Sequence, residues 1–273
     1  QITALCAVLV HDMLDSGLST TSGETMLIVF VGGYLSAGGA NAVNMWYDRD
    51  IDPKMSRTAA RPVPSGAVPA NAALGFGIAL SMLGVVWFVL LANQVAAFWS
   101  AFSILFYVFV YSIWLKRRTP QNIVIGGAAG AIPPVVGWAA VTGSLDLPAL
   151  YLFTIVFFWT PPHFWALALM IQNDYQRAGV PMLPVVMGEK RTVQNIFIYS
   201  LALVALTLLF AASDAVGLVY LASAAALGAI FIALAWKLKI DYSIRRAKHL
   251  YLFSLLYLAL LFSVMLADGV YRF

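Results

Sequence analysis

Apolar runs of roughly 20 residues recur along the whole chain, each long enough to cross a bilayer core of about 30 Å as a helix. In hydrocarbon every backbone N–H and C=O must find an internal partner, and a helix supplies these within one segment. The runs fall near 25–46, 70–91, 95–115, 122–142, 147–171, 194–212, 216–236 and 250–268. The opening "ITALCAVLV" is an apolar run of nine residues before His11 and Asp12, too short to span, and reads as the later half of a truncated first helix. Together these predict an all-α, polytopic membrane helix bundle with nine transmembrane helices, a single membrane domain over 1–273. Composition agrees, with 62% of residues hydrophobic and 10% charged; soluble domains carry about 25% charged residues.

The basic residues sort by loop. Fifteen of the 16 Lys and Arg lie in alternate loops, those after the second, fourth, sixth and eighth helices, and Arg272 is the exception. The opposite loops hold Asp12, Asp15, Glu24, Asp146 and Asp214. Lys and Arg mark the cytoplasmic side, so the expected topology in a cell membrane has the four basic loops and the N-terminus inside and the C-terminus outside. A net charge of +4 is too small to suggest a nucleic acid partner. Cys6 is the only cysteine, which excludes an internal disulfide and a Cys-based metal site.

Against this apolar background, "NMWYDRDIDPKMSRTAARP" gathers Asn44, Asp48, Asp50 and Asp52 at a helix end. Residues four apart share one helical face, so Asn44, Asp48 and Asp52 form a polar stripe, which Pro53 should end at Asp52. Asp50 points elsewhere; it and Arg49 read equally well as solvated rim charges. Two carboxylates and an amide oxygen make a hard-oxygen surface suited to Mg²⁺, which binds through one or two carboxylates and shares phosphate oxygens. With Arg57 and Arg61 nearby to hold phosphate in bidentate fashion, the cluster predicts a diphosphate site. The preceding "GGYLSAGGA" offers small residues for close helix packing.

A second loop, "NDYQRAGVPMLPVVMG", places Asn173, Asp174 and Arg177 before two prolines and a glycine, loosely echoing the first. The loops lie four helices apart, as a duplicated four-helix unit around a central cavity would place them. His163 precedes Asp174 by 11 residues and so lies about 16 Å deeper on the same face. It reads as a hydrogen-bonded core residue, an axial iron ligand or a polar contact to a substrate. Lys116, Arg117 and Arg118 would hold diphosphate or enforce orientation, the latter favoured for Arg117 and Arg118. His11 and His249 read as structural.

The strings "NMWYDRDIDPKMSRTAARPVPSG", "YSIWLKRRTPQNIVIGGAAGAIPPVVGWAA" and "FFWTPPHFWALALMIQNDYQRAGVPMLPVVMGE" together resemble the UbiA superfamily of intramembrane prenyltransferases, and within it the haem-modifying branch. Asn44, Asp48 and Asp52 match the superfamily's N-x-x-x-D-x-x-x-D motif, whereas its second D-x-x-x-D motif is represented by Asp174 alone. The resemblance implies farnesyl transfer from farnesyl diphosphate to a vinyl group of protohaem IX with addition of water. It further implies catalysis by Asn44, Asp48 and Asp52, with Mg²⁺ on Asp48, Asp52 and Asp174. Arg57, Arg61, Lys116 and Arg177 would bind diphosphate, and His163 would face the haem or substrate cavity. A haem A synthase or terminal oxidase is the implied assembly partner. The rival readings are an aromatic quinone precursor as acceptor, a transporter, and a haem-binding electron carrier. Transporters place charge near the bilayer midplane, unlike this rim cluster, and no second histidine matches His163 in depth.

Overall fold

A computed structural model describes residues 1–15, 20–213 and 215–270, without the side chains of 13–15, 20–22 and 270. Asp214 and Arg272, and the side chain of Asp15, lie outside the described residues. The described chain is helical and contains no strand. Its helices are α1 (Ile2–Asp15), α2 (Thr20–Tyr47), α3 (Ala70–Leu91), α4 (Gln94–Leu105) running on as a π-helix over Phe106–Leu115, α5 (Asn122–Ala131) and α6 (Pro133–Thr142). They continue with α7 (Leu147–Met170), α8 (Gln172–Ala178), α9 (Leu183–Phe210), α10 (Leu218–Ile240) and α11 (Ile244–Val270). Among the described residues eight segments are long and apolar enough to cross a membrane, and Ile2–Asp12 is a shorter apolar helix. The protein is a multi-pass membrane protein.

Three expected spans differ most in the structure. The run at 122–142 is two helices, because Pro133 and Pro134 lack the N–H that would continue the ladder. The carbonyl of Ala129, which Pro133 cannot serve, instead accepts the Ser103 hydroxyl from α4 at 3.3 Å. The spans expected at 194–212 and 250–268 begin earlier, at Leu183 and Ile244. Hydropathy marks only their apolar part, while Glu189, Lys190, Arg191, Arg245 and Arg246 are helical too. Within α9 the helix breaks at Gly188 (φ 73°), a backbone conformation that costs other residues a Cβ clash.

Neighbours run in the same order in both halves: α2, α3, α4 and then α5–α6 in the first, and α7, α9, α10 and α11 in the second. In the first half α2 and α3 touch through their backbones. A Cβ on Gly39 would lie 2.5 Å from Ser81 N and 2.7 Å from Gly77 O, and one on Gly77 would lie 2.9 Å from Gly39 O. Helices in lipid gain association from such close contact. The second half packs larger groups, with Trp165, Tyr220, Phe231 and Tyr257 fully buried. Lipid-facing surfaces stay apolar, as at Leu90 and Phe76, which are 73% and 61% exposed.

Polar groups close the helix ends. Asn93 accepts from Ala96 N at 2.9 Å to cap α4 and donates to Ala139 O at 2.7 Å, tying α4 to α6. Asp268 accepts from Gly217 N and Tyr220 N and caps α10. The loops after α2, after the π-helix and after α7 meet at the other end, through the Lys116–Asp48 and Ser56–Asp174 contacts.

Gly39→Leu is expected to force α2 and α3 apart at a cost of about 1–3 kcal/mol, read as a lower thermal unfolding midpoint in detergent. Gly75→Ala, whose added methyl meets open space, should leave that midpoint unchanged or slightly raised.

Candidate active site

The polar stripe keeps helical spacing past the end of α2. Asp48 N donates to Asn44 O and Asp52 N to Asp48 O, both at 2.8 Å, before a 3-10 turn over Asp52–Lys54 with Pro53 in its first turn. Asn44, Asp48 and Asp52 are all buried, at 4%, 0% and 1% exposure, so none of them is a solvated loop charge. Asn44 Nδ2 donates to Asp48 Oδ2 and to Ser112 Oγ, each at 2.9 Å. Lys116 Nζ pairs with the same Asp48 oxygen, and Arg117 Nη2 reaches Asp48 Oδ1 at 3.4 Å.

These partners come from the π-helix and the two residues that follow it. Its i→i+5 bonding widens the turn, so Ser112 Oγ donates to Tyr107 O at 2.9 Å while accepting from Asn44. Lys116 N bonds Tyr111 O at 2.8 Å, one such turn away. Tyr107 and Tyr111 stack with centroids 5.5 Å apart. Tyr111 lies against Gly126, where a Cβ would come within 2.2 Å of the ring.

At the rim, Arg117 forms a two-pronged pair with Asp50, both contacts 2.7 Å, and lies over the Tyr47 ring at 4.6 Å. That guanidinium holds the Asp50 carboxyl below the usual carboxylate range. Arg49 sits over Trp46 at 4.9 Å. The turn beyond Asp52 folds back on itself: Arg61 Nη1 donates to Asp52 Oδ2 at 3.0 Å and Thr58 Oγ1 to Asp52 O at 2.9 Å. Asp174, on α8, accepts from Ser56 N at 2.9 Å and from the Ser56 hydroxyl, and pairs with Arg177. The Ser56 hydrogen bonds, aided by Arg177 and Arg57, hold its carboxyl below its ordinary value. Ile51 and Met55 pack with Tyr175, Val180 and Met182 beneath this contact, so the two acidic loops are joined.

Below them lies a cavity of about 470 Å³. Asn44, Asp52, Arg57, Arg61, Lys116 and Tyr175 line its polar end, and Tyr107, Tyr111, Trp159 and Phe164 also line the cavity. Six of the expected site residues therefore stand in two layers, five on the cavity wall and Asp48 behind Asn44 and Lys116. Asp174 and Arg177 are not on the wall; Asp174 braces the 52–58 turn. The expected metal set of Asp48, Asp52 and Asp174 does not form one cluster. Among the described residues no group of three or more acidic, His or Cys side chains is placed to hold an ion, and each carboxylate instead has its own cation.

His163 turns toward α11. Its Nδ1 is 2.7 Å from Ser254 Oγ, and its ring stacks on Trp159 at 4.3 Å and Tyr251 at 4.8 Å. Of the three readings open for it, this geometry is that of the hydrogen-bonded core residue. Sequence reasoning missed Ser56, Tyr107, Tyr111 and Ser112. No α-helical spacing relates Tyr111 to Lys116 or Tyr107 to Ser112, since both pairs are five apart.

Comparison with known proteins places this architecture. The chain is 54% identical over 268 residues to a protoheme IX farnesyltransferase of Roseiflexus sp., a match covering 97% of the chain but only half of that relative's length. It is likewise 54% identical over 238 residues to a protoheme IX farnesyltransferase of Parvibaculum lavamentivorans, covering 86% of the chain and 75% of that protein. The fold superposes on a digeranylgeranylglyceryl phosphate synthase structure with a TM-score of 0.81 at 20% identity, covering 98% of this chain and 92% of that one. A UbiA homolog from Archaeoglobus fulgidus bound to GPP and Mg²⁺ has a TM-score of 0.59 at 16% identity, covering 97% and 96%. The pattern of the UbiA prenyltransferase family matches residues 3–264, and the chain belongs to that family.

Proposed function

We propose that this chain transfers the farnesyl group of farnesyl diphosphate to a vinyl group of protohaem IX, with addition of water and release of diphosphate. The observation that carries this reading is the set of cations, Arg57, Arg61 and Lys116, on the polar end of a mostly apolar cavity beside Asn44 and Asp52. The Roseiflexus and Parvibaculum relatives are both named as protoheme IX farnesyltransferases. In the resulting topology the four basic loops, and with them the site, face the cytoplasm, and the tail of the donor extends between the helices.

The donor set fits Mg²⁺ by its chemistry. Asp52 and Asn44 offer hard oxygens on the cavity wall, and Asp48 and Asp52 are each balanced by a side-chain cation that diphosphate would draw away. Mg²⁺ needs one or two carboxylates, with phosphate oxygens completing its shell. Asp48 and Asp52 would hold the ion, which when bound supplies Lewis-acid polarisation of the departing phosphate oxygens. Arg57, Arg61 and Lys116 stabilise the charge that builds on diphosphate as the C–O bond breaks and the electron pair leaves with it. Asn44, held by Asp48 and Ser112, keeps that carboxylate oriented. The vinyl π electrons then form the new C–C bond. Water adds its oxygen to the carbon left electron-poor beside the pyrrole and gives up a proton. The apolar wall limits capture of the allylic cation by water before the acceptor reaches it.

Turnover of the purified protein with protohaem IX, farnesyl diphosphate and Mg²⁺ should yield a haem product heavier by farnesyl plus water, and EDTA should abolish it. Prenylation of an aromatic acid with no haem product would replace the acceptor and keep the diphosphate site. Asp48→Ala and Asp52→Ala are each expected to lower turnover by about a hundredfold or more. Asp52→Ala should leave folding and haem retention intact, whereas Asp48→Ala, which strips the buried Lys116 of its partner, should also lower the thermal unfolding midpoint. A fully active Asp48→Ala protein would overturn the metal assignment.

Asp174→Asn should instead act through the loop. Losing charge-assisted bonds worth about 1.5–3 kcal/mol frees the 52–58 turn, raising KM for the diphosphate substrate more than it lowers kcat. Because the Asp174 carboxyl is held low, its bond to Ser56 persists at neutral pH. That bond weakens only on acidification through the lowered value, read as a smaller protection factor, relative to the intrinsic rate at the same pH, for the Ser56 amide.

A further inference from the structure

One face of α2 walls the cavity from end to end: Asn44, Asn41, Ala40, Ala37, Gly33 and Val29. From Asn44 to Val29 that face climbs about 22 Å by the helical rise. Two of the polar groups along the way satisfy each other, the Ser36 and Ser100 hydroxyls meeting at 2.8 Å. Small residues therefore leave a mostly apolar trough leading away from the diphosphate end, with the Gln1 side chain laid against Gly33 along it.

The trough stops at a wall. Phe88 of α3, Val29 of α2, Ala4 of α1 and Val136 of α6 line the far end of the cavity and belong to one buried cluster. Phe88 is fully buried. Its ring rests on the α2 backbone at Gly32, where a Cβ would come within 2.7 Å of it, and Ala96, Ala97 and Ile132 belong to the same cluster. Wedged on both sides, the ring has no room to swing out of the way, because packed interiors resist added volume.

We infer that Phe88 is the end stop that sets the length of prenyl chain this protein accepts, with Val136 and Val29 completing the wall. The inference rests on the reading of the cavity as a prenyl diphosphate site and adds to it the residue that selects chain length. A chain one isoprene unit longer than the trough must displace a fixed ring, whereas a shorter one leaves apolar wall uncovered. Removing the ring opens space toward Ala96 and Ala97, and enlarging Val136 shortens the trough.

The test is pairwise competition of geranyl, farnesyl and geranylgeranyl diphosphates for transfer to protohaem IX, with products resolved by mass. Competition ratios do not depend on how much protein is folded. Phe88→Ala should raise the geranylgeranyl-to-farnesyl product ratio at least tenfold, and Val136→Phe should lower the farnesyl-to-geranyl ratio at least tenfold. Ratios unchanged within twofold in both variants overturn the proposal. Thermal stabilisation of wild type and variants by the same three diphosphates, without acceptor, separates this outcome from failure of the functional reading. If wild type transfers nothing to haem but the variants still shift the preferred length of bound chain, the end stop stands and the acceptor is wrong. If binding does not discriminate length at all, the end stop is wrong whatever the acceptor.

Discussion

A carboxylate with no exposure to solvent, at the end of a membrane helix, has to be paired where it sits, since an unpaired buried charge costs several kcal/mol. Asp48 is that group, and its partners organise the polar end of the bundle. Lys116 and Arg117 bring the loop after the π-helix against α2, and Asn44 shares itself between Asp48 and Ser112. Once that knot is tied, Asp52 can stand only at the cavity mouth, one helical turn further on, with Arg61 folded back onto it. Breaking such a pair by removing one partner destabilises far more than replacing both.

The second acidic loop is held by a different logic. Asp174 fastens the turn that follows Asp52, through Ser56, from a position 118 residues away. Its charge supports the shape of the mouth and does not line it. The two loops thus divide the work that their similar sequences suggest they would share. Arg57, Arg61 and Lys116 reach the cavity from the first loop and from the loop after the π-helix, whereas Arg177 pairs with Asp174.

Small residues perform two tasks on α2. Gly39 lets α3 approach through its backbone, and on another face Ala37 and Ala40 leave the trough open while Gly33 makes room for the Gln1 side chain. A helix carrying large side chains on either face would have filled the cavity or pushed α3 away. Charge collects at one end, apolar wall extends toward the other, and Phe88 closes it.

Much of this was legible in the residues themselves. Apolar runs near 20 residues must become membrane-spanning helices because backbone groups in lipid have no other partner, and eight such helices are present among the described residues. The i, i+4, i+8 spacing of Asn44, Asp48 and Asp52 placed them on one stripe before any fold was known, because the helical period alone determines it. Helix ends were less legible: hydropathy cannot see helical Lys190 or Arg245. What the tertiary structure decided was partnership. Which cation meets Asp48, whether Asp174 faces the cavity or a backbone turn, and where His163 finds Ser254 depend on helices far apart in sequence. The π-helix whose five-residue period aims Ser112 and Lys116 packs against α2 and α5. Local spacing fixes which face a residue occupies; only the packed bundle fixes what that face meets.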